Sequence, residues 1–118
     1  MLAGNDAVRV YLACGATDMR KSVDGLAAIV THAFALDPFD SSLFVFCNRD
    51  RDRLKILHWE HNGFWLYYRR LERGRFGWPT AEAEQVKTIS RRQLSWLLDG
   101  LAIEQRKAHP PVAARIAA

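Results

Sequence analysis

Apolar residues in this chain change their spacing several times, and each change marks an element. Val8–Ala13 (V-R-V-Y-L-A) alternates apolar with amphipathic residues, the period of a strand. Gly15–Thr17 breaks that run. Met19, Val23, Leu26, Val30 and Phe34 then recur at intervals of three and four, which predicts a helix over residues 18–34. Thr17 or Asp18 would cap it, and Asp37-Pro38 would end it. Ser42–Cys47 is a strongly apolar strand, Asn48–Arg53 a charged turn and Leu54–Glu60 the returning strand. Asn62-Gly63 tolerates positive φ and predicts a hairpin into Phe64–Leu71. A short segment, Arg75–Trp78, is stopped by Pro79. Thr80–Lys87 has linker character, with Val86–Ile89 a candidate edge strand. Ser90-Arg91-Arg92-Gln93 fits a capping box, followed by a stripe of Leu94, Leu97, Leu98 and Leu101, with Gly100 as terminator.

The order β-α-β-β-β(β)-α implies an α+β fold: a small antiparallel β-meander sheet with two helices packed on one face. Residues 1–101 form one domain. From Ala102 onward no apolar period is sustained and Pro110-Pro111 intervenes, so residues 102–118 are expected to be a flexible C-terminal tail. Alternation along the last long strand sets Phe64, Leu66, Tyr68 and Arg70 on one face and Trp65, Tyr67, Arg69 and Leu71 on the other. On the strand before it, the Leu54/Ile56 face is expected to be buried and the Lys55/Trp59 face to look toward solvent or a partner.

Composition adds class. A chain of 118 residues, 49% hydrophobic with four Trp and 25% charged, is long enough for one folded core and has ordinary globular charge. No apolar run approaches the length that spans a bilayer. Two cysteines, Cys14 and Cys47, in a chain able to build a core suit a reducing compartment. Met1–Asp6 has no basic-then-apolar leader pattern, so a cytoplasmic location is expected.

The net charge of +4 is modest, but it is focused. Arg49–Arg75 holds eight of the 17 bases and only four of the 13 acids, which leaves the rest of the chain neutral. Within it, Gly63–Pro79 (G-F-W-L-Y-Y-R-R-L-E-R-G-R-F-G-W-P) places six aromatic rings beside four arginines. Guanidinium forks fit phosphates and aromatic faces accept bases, so the pattern points to nucleic acid. The candidate contacts are Arg69, Arg70, Arg73, Arg75, Lys55 and Arg53 for phosphate, with Trp65 and Tyr67 for stacking. The competing readings are that these rings are core and the arginines solvated, or that the segment is a protein-docking surface.

Other pairings are weaker. Asp18 and Asp24 lie about 600° apart on a helix and share no face. His58 and His61 lack a third metal ligand. No phosphate loop, nucleophile elbow or paired-cysteine motif is present, so no catalytic residue, metal or cofactor is expected and the chain is not expected to be an enzyme.

Several strings together resemble a known family: A-T-D-M-R-K-S-V-D-G-L (Ala16–Leu26), D-P-F-D (Asp37–Asp40), L-F-V-F (Leu43–Phe46), D-R-L-K-I-L-H-W (Asp52–Trp59) and the Gly63–Pro79 segment. In this order and spacing, from about Val8 to Leu101, they are similar to the TnpB-type accessory protein of the insertion-sequence sixty-six family, the product of that element's second reading frame. The resemblance implies a bacterial mobile-element protein needed for transposition, with strand transfer performed by a separate transposase. It implies DNA at the element ends, that transposase, or both as partners, leaves self-association open, and supplies no catalytic residue. Cys47-Asn48 departs from the more basic or glycine-containing turn expected after L-F-V-F.

Overall fold

In the computed structural model, which describes residues 8–104, the chain forms one five-stranded sheet in the order β4-β3-β2-β1-β5. The strands are β1 (Val10–Ala13), β2 (Leu43–Cys47), β3 (Arg53–Glu60), β4 (Gly63–Arg70) and β5 (Val86–Ile89). Helix α1 (Val23–Ala28) runs into a π-helical turn, Ile29–Ala33, and α2 (Arg91–Leu98) follows β5. The α+β class and the β2-β3-β4 meander agree with the sequence pattern. The sheet is not wholly antiparallel, because β1 pairs parallel with β2 and α1 is the crossover between them.

The two helices cover opposite faces rather than one. Val10, Leu12, Leu43, Val45, Leu54 and Ile56 pack with Leu94 and Leu97 of α2 and with Phe76 and Trp78. The alternate residues Ala13, Phe44, Phe46 and Leu57 pack with Leu26 and Val30 of α1. Strand β2 is buried at every position for that reason. The face of β3 expected to be open is therefore partly closed: Leu57 is fully buried beneath α1, as Ile56 is on the other side.

The first helix is also shorter than its spacing suggests. Asp18 does not cap it. Its carboxylate accepts from the backbone N–H of Arg20 at 2.9 Å and from the Arg20 guanidinium, an alternative to helix that short polar side chains offer their own backbone. Thr17 N–H donates to Cys47 O at 2.7 Å, so residues 17–22 become a loop stitched to the sheet, and the cap position falls to Ser22. The β3–β4 turn is displaced by one residue. Glu60 and Gly63 pair directly, which makes His61-Asn62 the two-residue loop, and the positive φ (64°) falls on His61. The capping box of α2 forms as expected, Ser90 Oγ accepting from Gln93 N–H at 3.0 Å and Gln93 Oε1 from Ser90 N–H at 2.8 Å.

Ile103 is buried in the α2-side core and Ala102 bridges to Gly77. Residues 105–118 of the segment read as a flexible tail lie outside the described residues.

Candidate nucleic-acid interface

Antiparallel pairing brings the end of β2, the start of β3 and the end of β4 to one end of the sheet. Asn48 builds the first loop there. Its Oδ1 accepts from the N–H of Asp52 and of Arg53, both at 3.1 Å, and its Nδ2 donates to Asp52 Oδ1 at 2.7 Å. Arg51 takes a positive φ of 63° within this tight turn. The loop after β4 is laid against it: Leu71 N–H donates to Asp52 O at 2.8 Å and Phe76 N–H to Arg51 O at 2.6 Å. Phe76 plugs into the core and leaves Arg73 and Arg75 exposed beside the Arg49–Arg53 turn.

Arg53 and Arg70 are direct cross-strand partners and so project from the same face. Glu72 offsets that like-charge pairing. It lies 2.9 Å from Arg70, and the bond raises the Arg70 pKa above its ordinary value. Among the described residues no carboxylate forms an ion pair with Arg53, Arg73 or Arg75. Four of the candidate residues, Arg53, Arg70, Arg73 and Arg75, thus gather at one end of the molecule. Arg49 and Arg51 join them, which the alternating charge of their loop obscured.

The other four candidates go elsewhere. Lys55 lies on the α1 side, where its ammonium donates to Met19 O and Lys21 O, each at 2.8 Å, and holds the 17–22 loop. Arg69 lies on the α2 side, where Nε donates to Leu98 O at 2.8 Å, a cation at a helix C-terminus. Trp65 and Tyr67 share that side with Arg69. Their rings stack at 6.0 Å, Trp65 Nε1 donates to Glu60 at 2.8 Å, and burial raises the Tyr67 pKa. The basic cluster and the stacked rings do not form one continuous surface.

One surface feature escaped sequence reasoning. Phe39, Trp59 and Phe64 form a mutual cluster with ring centroids 5.0–5.4 Å apart, and Phe39 is 55% exposed. The signal available was an aromatic residue inside the polar turn D-P-F-D. The two histidines do not converge: His58 is buried against Ser42 O, and His61 sits in the hairpin turn. Among the described residues no group of His, Cys, Asp and Glu could hold a metal ion, and no helix is long and apolar enough to cross a membrane.

These features define a small α+β protein with an arginine-rich end formed by two interlocked loops. The chain belongs to the family described as IS66 Orf2 like protein, whose model matches residues 8–108. It is accordingly an accessory protein associated with transposition of such insertion elements. Two similar proteins come from Sinorhizobium fredii, both described only as uncharacterized. Protein y4hO is 44% identical over 101 residues, covering 86% of this chain and 87% of its own. Protein y4jC is 30% identical over 110 residues, covering 93% of each. No solved structure matches the chain.

Proposed function

We propose that this chain is a non-enzymatic accessory factor that acts in the cytoplasm and contacts DNA phosphates at the element ends through its arginine-rich end. The observation that carries the reading is the convergence of Arg53 and Arg70, at the strand ends, with Arg73 and Arg75 around two interlocked loops, three of the four without a carboxylate partner among the described residues. Clustered cations focus potential in a way that scattered ones do not. Lys55 and Arg69, already bound to main-chain carbonyls, contribute field rather than direct contact. Trp65, the more exposed of the stacked rings, would serve only nucleic acid that also reaches the α2 side.

The test is fluorescence anisotropy of element-end duplex DNA across a salt series. Four phosphate contacts give a log-log slope of about −3.6, and Arg73→Ala with Arg75→Ala reduces it by about 1.8. A flat response, or an unchanged slope in the double variant, rejects the reading. A second reading, docking of the separate transposase, is favoured by the exposed Phe39, Trp59 and Phe64 cluster. It predicts co-purification with the transposase that survives nuclease treatment and is lost in Phe39→Ala.

A further inference from the structure

Strand β4 closes one end of the sheet order and, among the described residues, pairs only with β3. In an antiparallel ladder, residues alternate between those whose N–H and C=O face the partner strand and those whose groups face away. The register decides which are which. Leu71 N–H donates to Asp52 O, continuing the Arg53–Arg70 pairing, so the odd-numbered residues of β4 bond to β3. On the far side of β3, Asn48 N–H donates to Arg53 O, continuing the Cys47–Leu54 pairing. That commits the odd-numbered residues of β3 to β2 and leaves its even-numbered ones for β4, in agreement. Phe64, Leu66, Tyr68 and Arg70 therefore present their main-chain N–H and C=O groups outward, and none of these groups has a described hydrogen-bond partner.

Exposed edges are ordinarily blunted by short length, proline, a bulge or charged side chains. The opposite edge obeys that rule: β5 has four residues and includes Lys87. Strand β4 has eight residues, no proline and an uninterrupted register, its charges confined to Arg69 and Arg70 at one end, with Trp65 45% and Tyr68 54% exposed.

We propose that β4 is the surface through which two copies of this chain associate, antiparallel, about a twofold axis beside Tyr67. The outward residues fix the register, and the side chains between them suit a second copy. They are centred on position 67, so this alignment alone sets all four of one copy against all four of another. Phe64 pairs with Arg70 of the second copy and Leu66 with its Tyr68, every outward N–H meeting an outward C=O. On the α2 side Trp65 faces Arg69 of the second copy, an arrangement suited to cation–π attraction. No arginine faces an arginine, because antiparallel pairing sends the two arginine-bearing ends apart. The continuous sheet that results keeps the Arg49–Arg53 turn and Arg73 and Arg75 of each copy clear of the new ladder, with Arg70 at its margin, and association by this edge does not require DNA.

Sedimentation equilibrium over a concentration series, with residue-resolved amide hydrogen exchange, tests it. The dimer mass is expected, with the amides of Phe64, Leu66, Tyr68 and Arg70 gaining protection as concentration rises. Tyr68→Pro removes one outward N–H without touching the β3 ladder, a position where edge strands tolerate proline, and is expected to shift the mass to monomer with an unchanged circular dichroism spectrum. A monomeric wild-type protein at every concentration overturns the proposal, as does a dimer whose four amides exchange freely. Protection of those amides only when the transposase is added overturns it in favour of a strand from that protein. If Tyr68→Pro does not fold, the wild-type exchange pattern alone decides.

Discussion

Lys55 separates a structural use of positive charge from a polyanion contact. Its ammonium donates to two carbonyls, Met19 O and Lys21 O, both at 2.8 Å, and is the direct tie between β3 and the 17–22 loop. Lys55→Met keeps the aliphatic stem and deletes only the charged donor. Hydrogen bonds from charged groups contribute about 1.5–3 kcal/mol each when buried. One of these is part-buried and the other exposed, and water can reach the freed carbonyls, so the combined loss is about 1–2 kcal/mol. With a urea slope of about 1–1.5 kcal/mol per molar for a chain of this size, the unfolding midpoint falls by roughly 1 M. DNA affinity at fixed salt stays within about twofold of wild type, since no phosphate contact is removed. An unchanged midpoint together with a salt slope smaller by about 0.9 would refute the reasoning and return Lys55 to the interface.

Three further outcomes follow from single sites. Gly77→Ala places a Cβ 2.8 Å from the Cα of Ala102, closer than packing permits, so the Gly77–Ala102 bridge must open. Thermal unfolding is expected to show a loss of about 1–3 kcal/mol. Ser90→Ala removes the acceptor for Gln93 N–H and half of the reciprocal cap, costing about 1 kcal/mol in chemical denaturation. Burial pushes the Cys47 thiol up from its ordinary value near 9 to about 12, so the folded state disfavours the thiolate. Its contribution is complete below about pH 8 and declines as pH rises through 9 toward 12. Urea midpoints measured across that range are expected to fall less steeply in Cys47→Ala.

Much of this fold was legible in the sequence because local chemistry determined it. The capping box at Ser90, the apolar run of β2 and the meander formed where propensity and pattern agreed. Most of the misreadings occurred where a distant partner took part. Residues 17–22 carry helical spacing, yet Lys55, Cys47 O and the Asp18–Arg20 pair hold them as a loop. Helix α1 is the crossover of the parallel β1–β2 pair while α2 packs on the other face through Leu94 and Leu97, contacts between segments far apart in sequence that no local period encodes. The candidate interface divided for the same reason. Alternation assigned Arg69 and Arg70 to opposite faces correctly, but composition alone could not show that Leu98 O would capture Arg69. Asn48, a departure from the expected turn, proved to be the residue that organises the basic loop.

The alternation of β2 between two cores has a consequence for cooperativity. Phe44 and Phe46 belong to the α1 layer while Leu43, Val45 and Cys47 belong to the α2 layer, so neither helix can detach without stripping one side of a strand that the other still needs. Neither half is expected to persist alone. Damage on either side should therefore be felt as a lower stability of the whole, not as fraying of one part.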